Sequence, residues 1–179
     1  MGPASHPDSL VELVDAGTLF VVRHADAGDK AAWDGPDTLR PLSPVGHRQA
    51  EGLVDRLDGY PVEGILSSPT VRCHQTVEPL ARDRCLRIER VEALGVGASA
   101  AQLLGVFWDR TLRNAVLCTH GETIGVLFAR LALDGLVATE PLRWPKGSAW
   151  LLRRLDPVGR QVCARFLVPP ALDRHPGAR

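Results

Sequence analysis

The chain has 179 residues, of which 45% are hydrophobic and 23% charged, proportions that are typical of a globular domain. Basic and acidic residues number 21 each, so no overall charge draws the chain to a nucleic acid polymer or a membrane surface. No segment has the apolar length of a membrane span, and residues 1–15 lack the pattern of a secretory signal, so we expect a cytoplasmic protein. We expect one domain over residues 1–179, with a core at about 18–168 and loose termini.

The predicted elements begin with a short apolar and β-branched run. Thr18–Val22 is typical of a buried strand, and it ends just before two basic residues. The composition then turns to Gly, Asp and Pro, which indicates a loop over Ala27–Pro41. Ser43 and Pro44 suit the N-cap and the first position of a helix that should close at Gly59.

Strand and helix patterns alternate along the rest of the chain. Further strands are predicted over 62–66, 86–91, 115–118, 149–155 and 161–168, and helices over 69–81, 99–112 and 122–133. This alternation indicates an α/β fold, a three-layer sandwich in which a mainly parallel central sheet carries helices on both faces. Ligands of such sheets bind beyond the carboxyl ends of the strands, where the strand order reverses.

Four basic side chains follow three of the predicted strands. Arg23 and His24 end the first strand, Arg72 lies in the first helical turn after the second, and His120 follows the strand over 115–118. A guanidinium group can bind two phosphate oxygens at once. Two arginines and one imidazolium would therefore neutralise a phosphoryl group, which leaves the second imidazole free to attack it. The sequence predicts a phosphate site at this edge of the sheet.

Three motifs carry a resemblance to a known family: Val22-Arg23-His24-Ala25, Ser67-Ser68-Pro69-x-x-Arg72-x-x-Gln75-Thr76 and Cys118-Thr119-His120-Gly121-Glu122. In this order they resemble the histidine phosphatase (phosphoglycerate mutase-like) superfamily. The short chain and the Arg40-Pro41-Leu42 tripeptide look most like its small SixA-like phosphohistidine phosphatases, and like the phosphatase half of certain two-domain Nudix proteins. The resemblance implies that His24 is the nucleophile and that Arg23, Arg72 and His120 bind the phosphoryl group. It implies no metal and no cofactor.

The general acid has no unmistakable counterpart in the sequence. Glu92 is the first choice for the acid, because it follows the predicted strand over 86–91 and a carboxyl group there would protonate the leaving oxygen. Asp26 is the second choice. Arg40 is a further substrate-binding candidate, although a surface pairing with Asp34 or Asp37 explains it equally well. Glu122 lies in the first turn of a predicted helix, where the helix dipole favours a carboxylate. This position explains the residue without any other role.

Other functional patterns fit less well. Gly95-Val96-Gly97-Ala98-Ser99-Ala100 matches a dinucleotide-binding fingerprint but lies in mid-chain, so a helix-entry turn is favoured. The four cysteines include no C-x-x-C pair, and neither Cys73 nor Cys118 precedes an arginine by six residues, as a cysteine phosphatase would require. His47 and His74 lack the spacing of metal ligands, and the Arg174-His175 pair has no strand before it.

These observations predict a metal-independent phosphatase that forms a phosphohistidine at His24 and acts on a phosphorylated protein or a nucleotide. His24 should attack as the neutral imidazole while its other ring nitrogen donates to a backbone carbonyl or a carboxylate. A mutase and an inactive phosphate-binding module are the alternatives. Only 47 residues separate Arg72 from His120, which leaves little chain for the cap that a mutase needs. The sequence does not indicate an oligomeric state.

Overall fold

The structure, a computed structural model, describes residues 17–155 and 161–168. The segment 1–15, the turn 156–159 and the terminal Arg174-His175 pair lie outside the described residues, and the expectations for them stay predictions. Within the described ranges, no helix combines the length and the apolar character that crossing a bilayer requires. All four cysteines are free thiols.

Seven strands form one sheet. They are β1 (Thr18–Arg23), β2 (Gly64–Ser67), β3 (Ile88–Arg90), β4 (Ala115–Thr119), β5 (Leu136–Ala138), β6 (Ala149–Arg154) and β7 (Val162–Leu167). The sheet order is β3-β2-β4-β1-β6-β7-β5. Neighbouring strands from β3 to β1 are parallel, β6 is antiparallel to both β1 and β7, and β5 is parallel to β7. The mainly parallel sheet that the sequence predicts is confirmed.

In the described part of the chain, four α-helices cover the sheet. They are α1 (Pro44–Arg56), α2 (Val71–Asp83), α3 (Ala100–Phe107) and α4 (Gly121–Leu133), and short 3-10 turns lie at Asp37–Leu39 and Glu92–Leu94. Leu19 and Val21 pack with α3 and α4, whereas Phe20 and Val22 pack with α1 and α2, because successive side chains of a strand point to opposite faces. Two apolar cores therefore separate three layers, as expected.

Two helix ends show how side chains set the element boundaries. Ser43 accepts a hydrogen bond from the backbone of Gly46 at 3.1 Å and so caps α1 where the sequence predicts. The helix predicted over 99–112 ends earlier, at Phe107. Arg154, buried at the end of β6, donates to the carbonyl oxygens of Phe107, Asp109 and Leu112 and holds this segment in an irregular path.

The strand order reverses between β1 and β4, since the chain runs outward from β1 to β2 and β3 and then returns to β4. Arg23 and Thr119 pair at the carboxyl ends of these two adjacent strands, and the backbone N–H of His24 donates to the carbonyl of Thr119 at 2.9 Å. The residues after both strands, His24 and His120, are thus delivered to the same edge. Ligand sites of parallel sheets form at such a position.

Candidate active site

His24 is buried, with 6% of its surface exposed, and its ring has a defined tautomer. Its Nδ1 lies 2.8 Å from the carbonyl oxygen of Ala25, which only accepts, so Nδ1 carries the proton and Nε2 carries the lone pair. Burial lowers the pKa of His24 from 6.5 to about 4, and the charges of His120 and Arg72 contribute in the same direction. The imidazole is therefore neutral at neutral pH.

The loop after His24 is fixed by the second motif. The backbone N–H of Ala25 donates to Thr76 Oγ1 at 2.9 Å, and this hydroxyl in turn donates to the carbonyl of Arg72 at 2.7 Å. On the other side, the backbone N–H of Gly147 donates to the carbonyl of His24 at 3.1 Å. These bonds set the direction of the Ala25 carbonyl, and with it the orientation of the His24 ring.

Arg72 and His120 are both almost fully buried and are in contact with each other. The Nη2 atom of Arg72 lies 3.3 Å from Nδ1 of His120, and since an arginine can only donate, Nδ1 accepts. In the neutral ring the proton of His120 is then on Nε2, whereas the charged ring carries a proton on both nitrogens; Nε2 lies 2.8 Å from the hydroxyl of Ser68 and 3.6 Å from Sγ of Cys73. The rings of His24 and His120 meet at an angle of 63° with centroids 5.3 Å apart.

Arg23 is held by groups from the second half of the chain. Its Nη1 donates to the carbonyl of Trp144 at 2.8 Å. A Cβ at Gly121 would lie 3.0 Å from the Arg23 guanidinium carbon, so a larger residue at the start of α4 would displace this group. Because β1 ends at Arg23, His24 no longer follows the alternation of the strand, and both side chains reach the same cavity.

The cavity has a volume of about 320 Å³ and is lined mainly by charged side chains. Its lining residues are Arg23, His24, Gly28, Asp29, Lys30, Asp37, Arg40, Arg72, Val96, His120, Glu122 and Lys146. All four basic residues that the sequence singled out, and Arg40, thus meet in one place. Arg40 also donates to Asp37 at 2.9 Å and to the carbonyl of Ala27 at 2.7 Å, so the pairing that the sequence offered for it is present as well.

The structure does not bring the two expected acids to this cavity. Glu92 lies exposed in the short turn Glu92–Leu94, because this turn directs Leu94 into the core and leaves Glu92 at the surface. Glu92 is therefore not among the residues that line the cavity, and its role as an acid stays a prediction. Asp26 does not line the cavity either, and hydrogen bonds from Lys146, Ser43 and the backbone of Gly28 lower its pKa to about 2. A carboxylate held so firmly ionised is a poor proton donor.

Three carboxylates line the cavity beside the basic groups: Asp29, Asp37 and Glu122. Asp37 accepts from Arg72 Nη2 at 3.1 Å, and its backbone carbonyl accepts from Nη1 at 2.6 Å. Burial opposes its ionisation, but the hydrogen bond from Arg40 and the charges of Arg72, Arg40 and Lys30 hold its pKa below the usual value. The backbone N–H of Glu122, and then the charges of His120 and Arg23, lower the pKa of that carboxyl group.

Sequence reasoning missed several residues of the site. Lys30 and Lys146 line the cavity, yet each lies in a polar loop where a lysine has no distinguishing pattern. Ser68 stands inside the second motif, which was a usable signal, but its bond to His120 depends on the sheet. Trp144 acts through its backbone carbonyl, which no side-chain pattern reveals.

Comparison with known proteins gives a matching family model and a sequence relative. The model of the "Histidine phosphatase superfamily (branch 1)" matches residues 19–95. An 8-oxo-(d)GTP phosphatase of Mycolicibacterium smegmatis is 36% identical over 162 residues, which are 88% of this chain and 50% of that protein. The chain therefore spans about half the length of this curated relative.

Solved structures share the fold at low sequence identity. The protein histidine phosphatase SixA complexed with tungstate is 22% identical, with a TM-score of 0.65 over 86% of this chain and 96% of its own. A mycobacterial glucosyl-3-phosphoglycerate phosphatase in complex with VO3 is 17% identical, with a TM-score of 0.63 over 87% and 99% of the two chains. The family match over residues 19–95, the motifs and the fold agree with one another: the chain is similar to the histidine phosphatase superfamily, branch 1.

Proposed function

We propose that the protein is a metal-independent phosphatase that works through a phosphohistidine at His24. The observation that carries this proposal is the tautomer of His24, because the hydrogen bond from Nδ1 to Ala25 leaves a lone pair on Nε2. This nitrogen belongs to a neutral ring in a cavity that also contains Arg23, Arg72 and His120. Phosphoryl transfer through a covalent intermediate requires a nucleophile and neighbouring groups that stabilise anionic oxygens, and this cavity contains one such nucleophile and three such groups.

The reaction has two steps. In the first, the Nε2 lone pair attacks phosphorus, and the bond from phosphorus to the leaving group breaks with its electron pair going to that group. Arg23 and Arg72 are positioned to neutralise the remaining phosphoryl oxygens. In the second step, a water molecule attacks phosphorus, and the phosphorus–nitrogen bond breaks to release inorganic phosphate and return the lone pair to Nε2.

The ionisation of the nearby carboxylates favours good leaving groups. Of the three carboxylates that line the cavity, Asp37 and Glu122 have a pKa below the usual value, so neither of these two is a ready proton donor at neutral pH. A phosphoanhydride or a phosphoramidate needs less help from an acid than an alkyl phosphate does. This consideration favours nucleoside di- and triphosphates and phosphohistidine over phosphorylated metabolites such as phosphoglycerate.

Of these two substrates, we propose a nucleotide first. The relative that is 36% identical is named an 8-oxo-(d)GTP phosphatase, whereas the resemblance to the SixA structure, at 22% identity, supports the fold alone. Lys30, Arg40 and Lys146 also add positive charge around the phosphoryl position, which suits a substrate with more than one phosphate. A phosphohistidine protein is the second candidate, because its imidazole leaving group fits the ionised carboxylates equally well.

Steady-state kinetics test the proposal. We expect kcat/KM to be higher for a nucleoside diphosphate or triphosphate than for a phosphohistidine protein or for phosphoglycerate at the same pH. His24→Ala should abolish turnover, whereas His47→Ala, at an exposed position of α1, should leave it unchanged. A preference for phosphoglycerate would favour the mutase alternative. Absence of turnover with every substrate would favour the inactive binding module.

A further inference from the structure

Val96 is the one apolar side chain among the described residues that line the cavity. It is 59% exposed, although the rest of the lining is charged or polar apart from Gly28. For a group whose phosphate binds to the basic residues, Val96 is the apolar side chain that the described lining offers to the rest of the group. The charge distribution of the cavity therefore separates a phosphoryl side from an apolar side.

The backbone around Val96 is tied to the catalytic edge of the sheet. Thr119 Oγ1 donates to the carbonyl of Leu94 at 2.6 Å, and Thr123 Oγ1 donates to the carbonyl of Gly95 at 3.2 Å. These threonines lie one residue before and three residues after His120. The position of Val96 is thus fixed relative to His120, as a residue that recognises part of the substrate must be.

The turn that presents Val96 also accounts for the Gly-rich pattern in the sequence. Gly97 has a φ of +83°, a conformation that residues with a side chain rarely adopt, and it sends the chain back toward α3. Ser99 then caps α3 by accepting from the backbone of Gln102. Gly97 thus allows the turn that follows Val96, and Ser99 caps the N-terminus of α3 after it.

We infer that Val96 is a specificity-determining residue, against which the base of a nucleoside phosphate packs while its terminal phosphate is transferred to His24. This inference rests on the proposed function and names the part of the substrate that the turn recognises. Packing a planar base against an exposed valine is favourable, because it removes apolar surface of both groups from water. A substitution of Val96 should therefore change kcat/KM for substrates that carry a ring and leave kcat/KM unchanged for substrates that do not.

The experiment compares kcat/KM for a nucleoside diphosphate and for acetyl phosphate, which has a good leaving group but no ring. Val96→Ser should lower the value for the nucleotide about tenfold, which corresponds to the loss of part of one apolar contact, and should change that for acetyl phosphate less than about twofold. The matched control is Val126→Ser, an exposed valine of α4 outside the cavity lining, which should affect neither substrate. Val96→Thr keeps the shape, and it tests polarity alone if the serine variant is poorly folded.

The outcomes separate this inference from the proposed function. If neither Val96 variant changes the ratio of the two kcat/KM values while His24→Ala still abolishes turnover, the inference fails and the proposed function stands. If the parent protein shows no turnover that depends on His24, both fail. A loss confined to a phosphohistidine protein, tested as a third substrate, would place an imidazole at Val96 and overturn the nucleoside assignment.

Discussion

At the scale of single residues, the tautomers of the two histidines determine the chemistry. The sequence predicts that one nitrogen of His24 is held by a carbonyl or a carboxylate, and the structure identifies the carbonyl of Ala25. The complementary arrangement at His120, with Nδ1 toward Arg72 and Nε2 toward Ser68, follows from contacts between residues 48 and 52 positions apart. Such distant pairs cannot be derived from local sequence patterns, because they depend on which strands are adjacent.

The pKa of His24 predicts the acid limb of the pH profile. Since the attacking form is neutral and burial lowers the pKa to about 4, kcat/KM should stay level as the pH falls through 6.5 and decline only near pH 4. The measurement is kcat/KM between pH 3.5 and 8, with the folded state monitored at each point. An apparent pKa near 6.5 that persists when each of the other histidines is replaced would contradict a desolvated His24.

Ser68 should act as a positioning residue for His120. Removing its hydroxyl by Ser68→Ala leaves Nε2 with the weaker contact to Cys73 Sγ at 3.6 Å, so we expect kcat to fall about tenfold with little change in KM. Ser68→Thr, which restores a hydroxyl, should recover most of the loss. The control is Ser67→Ala, since the neighbouring Ser67 is equally buried but bonds only to the carbonyl of Ser68. Equal effects of both alanine variants would mean that Ser68 is merely structural.

At the scale of elements, local patterns located most helices and strands but not their ends. α1, α2 and α4 lie within a few residues of the predicted ranges, because caps and apolar faces are encoded locally. β5 was missed, since its three residues at the sheet edge are too few to show a periodicity. The early end of α3 depends on Arg154, which lies 47 residues beyond Phe107.

Helix α2 carries two arginines that should differ sharply in function. Arg72 lies at its start, inside the cavity, and Arg72→Ala should lower kcat on the order of a hundredfold, the effect of losing one charge that stabilises the transition state. Arg82 lies in the last turn, where its exposed side chain pairs with Glu51 at 3.6 Å, and Arg82→Ala should leave kcat unchanged. A loss below tenfold at Arg72 would show that it does not contact the transferring phosphoryl group.

At the scale of the whole molecule, both halves of the chain build one site. The first half supplies His24, the proposed nucleophile, and Arg72, and the sequence motifs single out both residues. The loop before β6 supplies the Trp144 carbonyl that holds Arg23, and this loop is itself fixed by Trp144 stacking on Phe128, with centroids 6.0 Å apart. The sequence reveals the groups that react, whereas the groups that hold them become visible only in the folded molecule.

Burying His24 should make the stability of the fold depend on pH. Its folded pKa of about 4 lies below the unfolded value of 6.5, so protons bind to the unfolded chain first and stability is lost as the pH falls from 6.5 to 4. Between pH 7 and 5 this amounts to about 2 kcal/mol, at about 1.4 kcal/mol for each pH unit. The pKa of Asp26 is about 2, so its contribution is lost only at lower pH.

Denaturant unfolding at pH 7 and pH 5 measures this effect. The difference between the two free energies of unfolding should be smaller in His24→Gln than in the parent by about 2 kcal/mol, because glutamine does not titrate. His47→Gln removes an exposed histidine and should leave the difference as it is. An unchanged difference in His24→Gln would mean that the imidazole is not desolvated in the folded protein.

The covalent intermediate is the central claim, and intact mass spectrometry after rapid alkaline quenching of a reaction with a nucleoside diphosphate tests it most directly. We expect a fraction of the protein to gain the mass of one phosphoryl group, to lose it on brief acid treatment, as a phosphoramidate does, and to carry it on the peptide that contains His24. The gain should be absent in His24→Ala and present in His47→Ala. Turnover that continues in His24→Ala, or a phosphoryl group found on another residue, would contradict the account.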